Sequence, residues 1–126
     1  MRTTVRRSAL VAVLVFFSLS AAELSGRWHF VFETEAGIRE ANMALEVKGQ
    51  EVVGKVYPVG SEDTSTEVKG TLDGGRLTLE FEYYSADAGY KSIVKIQGTL
   101  EGDKIAGEWQ FDEHSGTFTA TRLKAP

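Results

Sequence analysis

The group of residues that comes nearest to a catalytic arrangement is Asp112-Glu113-His114-Ser115, which contains carboxylates, an imidazole and a hydroxyl. A hydrolytic triad needs these three types to converge from separate parts of a fold. Four consecutive residues cannot reach that geometry, and a polar run between two apolar segments is the ordinary composition of a turn. We interpret the run as a surface turn and expect the protein not to be an enzyme.

The other polar side chains indicate no metal or cofactor site. His29 and His114 are far apart in the sequence, and neither has a carboxylate at the spacing of a zinc site. The chain has no cysteine and no phosphate-binding loop, so we expect no cofactor and no bound metal. Four glutamates alternate with apolar residues, as on the solvated face of a strand: Glu80, Glu82, Glu101 and Glu108.

Aromatic residues give more grounds for a binding site. Many of them recur at every second position, which predicts one face lined with rings, either as a filled core or as the wall of a small-ligand pocket. Tyr83, Tyr90 and Ser92 flank a predicted loop, Ser85–Gly89, and would give one end of the fold a polar rim around an apolar interior. The candidate ligand-binding residues are Phe30, Phe81, Tyr83, Tyr90, Ser92 and Trp109.

The element that must position these side chains is a β-hairpin that the chain repeats. Residues 68–81 and 96–109 align glycine with glycine and apolar residue with apolar residue around a tight turn, and residues 43–56 form a looser third copy. Repetition of one hairpin predicts an antiparallel meander. Apolar alternation predicts eight strands and no helix: Gly26–Glu33, Asn42–Lys48, Val52–Val59, Thr66–Leu72, Arg76–Tyr84, Tyr90–Leu100, Lys104–Phe111 and Thr117–Leu123.

Eight antiparallel strands can stack as a sandwich or close into a barrel. Four glycines fall in the middle of predicted strands, in the inward phase: Gly54, Gly70, Gly98 and Gly107. Glycine there costs stability unless the strand bends sharply or a neighbour approaches closely, and small barrels need such bends to close. We therefore predict an all-β, eight-stranded, antiparallel up-and-down β-barrel.

The first residues are expected to be a signal peptide, 1–22, followed by a single barrel domain, 23–126. Three arginines precede the apolar run Leu10–Leu19, and the small residues Ser20-Ala21-Ala22 end it, which is the layout of a cleavable secretory signal. We expect a secreted or periplasmic protein, with an uncleaved N-terminal anchor as the alternative. Without residues 1–22, 18 acids face 11 bases, a formal charge of −7. So acidic a domain is a poor partner for nucleic acid or an anionic membrane.

The two ends of the chain carry a family resemblance. Gly26-x-Trp28 opens the first predicted strand, and Arg122 lies in the inward phase of the last. In this the chain resembles the calycin superfamily, which includes lipocalins and avidins. The resemblance implies that Trp28 plugs one barrel end, that Arg122 covers it as its structural closing partner, and that the barrel binds a small apolar or amphipathic ligand. Val56 stands where an avidin has a biotin-binding tyrosine, so we do not expect biotin to be the ligand.

A different class of function is consistent with the same sequence. The barrel could have a filled core with no ligand and act as a structural or protein-interaction module. Tyr57 and Val59 fall on the outer face in the predicted phase and could then form part of the contact surface.

Overall fold

The computed structural model describes residues 24–60 and 63–124, and the predicted signal peptide lies outside these ranges. Each strand pairs antiparallel with the next, and the last pairs with the first, so the sheet closes into a barrel. The predicted eight-stranded up-and-down β-barrel is confirmed. The strands are β1 (Gly26–Thr34), β2 (Gly37–Lys48), β3 (Glu51–Pro58), β4 (Thr66–Asp73), β5 (Arg76–Ser85), β6 (Tyr90–Glu101), β7 (Lys104–Phe111) and β8 (His114–Arg122).

Two strands begin three or more residues earlier than predicted. β2 begins at Gly37 rather than Asn42, and β8 begins at His114 rather than Thr117. The first four residues of β2 and the first two of β8 are exposed on both faces of the sheet. No apolar alternation marks such segments, although their backbones remain paired with a neighbouring strand.

The barrel interior is filled by apolar side chains, and no polar or charged residue is buried in the part of the chain that the structure describes. Glycine lets neighbouring strands approach closely here. A Cβ on Gly70 would overlap the carbonyl oxygen of Thr78 in β5, and one on Gly98 would lie 2.8 Å from Cζ of Phe118. These mid-strand glycines therefore make room for the sharply bent sheet and for the Phe118 ring, which reaches from β8 over β7 to Gly98 of β6.

One end of the barrel, where β1 begins and β8 ends, is sealed by side chains from both strands. Trp28 is fully buried, and the Arg122 guanidinium carbon lies over its indole, 4.5 Å from the ring centroid. The indole Nε1 donates a hydrogen bond of 2.8 Å to the carbonyl of Leu24, which is itself fully buried. We call this the closed end.

Arg122 holds the closed end together through its other contacts. Its Nη1 donates to the Ser25 carbonyl and its Nε to the Asp103 carboxylate, each at 3.0 Å. Gly26 has φ of 134°, and a Cβ at that position would come within 2.9 Å of Arg122 Nη1. The glycine of the Gly-x-Trp motif thus supplies both a backbone conformation and the space through which the guanidinium reaches the indole.

Candidate ligand-binding site

The opposite end of the barrel, which we call the open end, is where the described residues expose large apolar side chains. It comprises the β1–β2, β3–β4, β5–β6 and β7–β8 connections and the adjoining strand ends. All the large apolar side chains that the described residues expose lie on these connections or within four residues of them. They are Ile38, Val59, Tyr83, Tyr84, Tyr90 and Ile93.

Two tyrosine rings that both contact Phe111 form, with it, the side of the opening made by β5, β6 and β7. Phe111 is buried and stacks on Tyr90 with ring centroids 5.4 Å apart. Tyr83 meets Phe111 edge to face at 6.2 Å. Tyr83 and Tyr90 remain 38% and 40% exposed, so their rings are available to a molecule entering the opening. We call Tyr83, Tyr90 and Phe111 the aromatic rim.

A carboxylate is fixed beside the aromatic rim by the turn between β7 and β8. Ser92 Oγ donates to Asp112 Oδ1 at 2.7 Å, and Gln110 Nε2 donates to the Asp112 backbone carbonyl at 3.2 Å. Asp112 has φ of 54°, a left-handed conformation that aspartate tolerates better than most residues. Desolvation raises the pKa of Tyr90, and the hydrogen bond and negative charge of Asp112 and the charge of Glu113 raise it further. The phenol therefore lies in a negative potential.

The β5–β6 connection folds toward the opening. Ala88 packs against the core, and its N–H donates to Ser85 Oγ at 3.1 Å. Asp87 accepts a hydrogen bond of 2.6 Å from Arg39 Nη2. Arg39 lies on β2, which is not adjacent to β5 or β6 in the barrel. The ion pair consequently reaches from one side of the opening to another.

Beneath the open end, the interior is occupied by core rings. Phe30, Phe32 and Phe118 lie together, with centroid separations of 5.5–6.1 Å. The β1–β8 ladder ends at the pair Phe32 and Phe118, and the Glu33 carbonyl beyond it accepts a hydrogen bond of 2.9 Å from Trp109 Nε1. Trp109 thus links β7 to β1 across Gly116 of β8, one residue beyond the last β1–β8 pair.

The predicted site residues separate into two groups. Tyr83, Tyr90 and Ser92 come together at the open end, whereas Phe30, Phe81 and Trp109 are buried in the core, at 0%, 7% and 9% exposure. Four further residues of the open end were missing from the candidates: Phe111, Asp112, Asp87 and Arg39.

The sequence contained evidence for only some of these four residues as parts of the open end. Phe111 shares the inward phase of Trp109, and its place at the last position of β7 could have marked it as a rim residue. Asp112 was interpreted only as part of a surface turn. The contact between Arg39 and Asp87 joins residues 48 positions apart and has no sequence signal.

A separate depression lies outside the barrel. It has a volume of about 250 Å³ and is lined by the outer faces of β1, β7 and β8, including Val31, Ala106 and Thr119. Small-molecule sites usually enclose about 300–1,000 Å³, so this groove is smaller than an ordinary ligand pocket.

The part of the chain that the structure describes contains no group of three or more histidines or carboxylates placed to hold a metal ion. Across residues 24–60 and 63–124, no helix has the length and apolar character needed to span a bilayer.

No protein-family model matches the chain, and no curated protein matches it. Among solved structures, it is similar to a redesigned β-barrel, with a TM-score of 0.60 and 19% sequence identity over 83% of this chain and 96% of that one. It is also similar to the redesigned β-barrel mFAP1 bound to DFHBI, with a TM-score of 0.58 and 14% identity over 82% and 98% of the two chains. Identities this low show a shared fold alone: the chain has the architecture of these closed antiparallel barrels.

Proposed function

We propose that this chain is an exported, lipocalin-like barrel that binds a small apolar or amphipathic ligand at its open end and catalyses no reaction. The observation that carries the proposal is the aromatic rim. Tyr83 and Tyr90 each contact the Phe111 ring at the end of the barrel opposite the Trp28 plug, and both tyrosines are more than a third exposed. An apolar body with a few polar groups at its edge is the usual composition of a small-ligand site.

The asymmetry between the two ends supports this function. At the closed end, Trp28 and Leu24 are fully buried, and Arg122 covers the indole. At the open end, exposed ring surface costs about 25 cal/mol for each Å² that stays in water, and a bound ligand would recover part of that cost. The mFAP1 barrel, which is similar in fold and was solved with DFHBI bound, is a precedent for small-molecule binding by this architecture.

The lipocalin-like assignment and the export of the protein rest on the sequence. The Gly26-x-Trp28 motif and Arg122 form one structural unit, as the calycin resemblance implies. The apolar segment after three arginines is the basis for proposing that the chain enters the periplasm or the extracellular space.

A fluorescence titration tests the ligand-binding proposal. N-phenylnaphthylamine is neutral and brightens in apolar surroundings, so saturable brightening with the purified protein is the expected result. Replacing Tyr83 or Tyr90 with Ser should weaken binding about five- to tenfold, because one ring contact is lost. Tyr84→Ser is the matched control, since Tyr84 is an exposed tyrosine of β5 on the opposite face of the strand. Binding that is absent, or that ignores both rim substitutions, would refute the proposal.

A protein-interaction module is the second candidate function. Ile38 and Tyr84 are each 61% exposed and Val59 is 47% exposed at the same end of the barrel but outside the aromatic rim. Exposed apolar groups on one end of a protein are typical of a contact surface. Cross-linking in the native extract should then capture one defined partner, and Tyr84→Lys should abolish the capture while leaving N-phenylnaphthylamine binding intact.

A further inference from the structure

The two ends of the barrel differ in the charge of their connections as well as in their exposed apolar surface. The connections of the closed end contain one acid, Asp103, which Arg122 engages. The described residues of the four open-end connections contain acids and no lysine or arginine: Glu35, Asp63, Asp87, Asp112 and Glu113. The excess negative charge of the chain is therefore concentrated where the aromatic rim is exposed.

The basic residues on nearby strand ends do not neutralise the carboxylates closest to the rim. Arg39 pairs with Asp87 at 2.6 Å, and Lys91 pairs with Glu82 at 3.1 Å. Asp112 and Glu113 have no lysine or arginine within ion-pair distance among the residues that the structure describes. No ion pair among these residues therefore offsets the negative charge that both carboxylates exert on Tyr90.

The rings provide a second and independent element of recognition. The Tyr90 ring lies 30° from parallel to Phe111, whereas Tyr83 stands at 79° to it. Both tyrosines remain partly exposed, and Ser92, the cross-strand partner of Tyr83, is hydrogen-bonded to Asp112. Aromatic faces attract cations through their quadrupole, and the attraction strengthens where a carboxylate adds its own field.

We infer that the ligand of the open end is a small amphipathic cation, an amine or quaternary ammonium carried on an apolar or aromatic body. This inference rests on the proposed ligand-binding function and specifies the charge of the ligand. The apolar body covers the exposed rings of Tyr83 and Tyr90, and the cationic group lies beside Asp112 and Glu113. Desolvation and then the hydrogen bond and charge of Asp112 and the charge of Glu113 raise the pKa of Tyr90, and the same two carboxylates favour a positive charge beside it.

A matched series of ligands tests the inference by isothermal titration with the purified protein. Naphthylmethyl-trimethylammonium, naphthylmethanol and naphthylacetate share one ring system and differ in charge. We expect the cation to bind at least about fivefold more tightly than the neutral alcohol, with the anion weakest. Added salt should reduce this preference, because exposed charges are screened.

The double variant Asp112→Asn/Glu113→Gln tests whether these two carboxylates cause the preference for the cation over the alcohol. Asparagine tolerates the left-handed conformation of position 112, so the turn is retained. The double variant Asp73→Asn/Glu101→Gln removes the same charge at the closed end and is the matched control. The first variant should bind cation and alcohol with similar affinity, and the control should keep the preference.

The outcomes separate this inference from the proposed function. Equal affinity for the three ligands, or a preference for the anion, would overturn the inference and leave ligand binding intact. Failure of all three ligands and of N-phenylnaphthylamine to bind would refute both. If the Asp112→Asn/Glu113→Gln variant does not fold, the salt dependence of the unaltered protein decides the matter, since a cation preference that does not change with salt contradicts the inference.

Discussion

At the scale of single residues, the contact between Trp28 and Arg122 connects the first strand to the last. The guanidinium stacks on the indole and also donates to Ser25 and Asp103, so its side chain is only 25% exposed. The planar guanidinium stacks on the indole and donates hydrogen bonds at the same time. A lysine ammonium cannot do both, so lysine is a poor replacement for Arg122.

Truncating this pair should reveal a direct coupling. Trp28→Ala is expected to cost about 3–5 kcal/mol of unfolding free energy because it empties a fully buried site. Arg122→Ala should also destabilise the fold, and the double variant should cost about 0.5–2 kcal/mol less than the sum. Urea denaturation of the four proteins measures the cycle. Strict additivity would mean that the two side chains do not stabilise each other.

His29 predicts a pH dependence of stability. On the outer face of β1, its Nδ1 lies 2.7 Å from Asn42 Oδ1, and its Nε2 lies 2.9 Å from Glu40 Oε1. A neutral imidazole has one N–H and can donate to only one of these oxygens, whereas the imidazolium donates to both. The hydrogen bond to Asn42 accordingly raises the pKa of His29 above 6.5, partial burial opposes the rise, and Glu40 adds to it.

The sign of the effect follows from the raised pKa. The stabilisation is fully present below the unfolded-state pKa and is lost as the pH rises through the higher folded-state pKa. The loss of stability caused by His29→Gln should therefore be larger near pH 5.5 than near pH 9. Glu40→Gln is the control and should reduce the pH dependence without removing it, because Asn42 remains. Equal losses at the two pH values would contradict this account.

At the scale of strands, the alternation of inward and outward side chains can be tested on β5. Leu79 is fully buried, while its neighbour Glu80 points outward. Leu79→Ala should cost about 2–5 kcal/mol through lost packing and a residual cavity. Glu80→Ala should change the unfolding free energy by less than about 0.5 kcal/mol. Thermal and urea unfolding would show the contrast, and similar costs would mean that the inward face is misassigned.

The strands also show what the sequence could predict. The bounds of β7 match the prediction, Lys104–Phe111, because apolar alternation is strong and a turn glycine precedes it. The start of β2 at Gly37 was missed because its first residues are exposed on both faces and are held by backbone pairing alone. Apolar residues alternate with polar ones only where one face of a strand is buried. A strand end that extends beyond the core therefore has no such pattern in its sequence.

The candidate site was predictable to a smaller extent. Tyr83, Tyr90 and Ser92 were assigned to one loop from their positions around it, and they meet there. The Phe111 contacts and the ion pair between Arg39 and Asp87 depend on how far the barrel closes and on where its connections fold. Such long-range geometry is set by the whole sheet and cannot be derived from local spacing.

At the scale of the whole molecule, the barrel is polarised between its ends. The closed end combines a buried tryptophan, a covering arginine and one engaged acid. The open end combines exposed rings, an acidic set of connections and an ion pair that reaches across the opening. This polarity is the physical basis of the claim that ligands bind at one end and that the other end is structural.

The most direct test of that claim is a map of ligand contacts by NMR. Backbone amide shifts of the purified protein would be followed during titration with naphthylmethyl-trimethylammonium and with N-phenylnaphthylamine. We predict that the largest changes for at least one of the two probes cluster at Tyr83, Tyr90, Ser92 and Phe111, with little change near Trp28. Changes centred on Trp28 or on the outer groove near Val31 and Thr119, or no saturable change with either probe, would contradict the account.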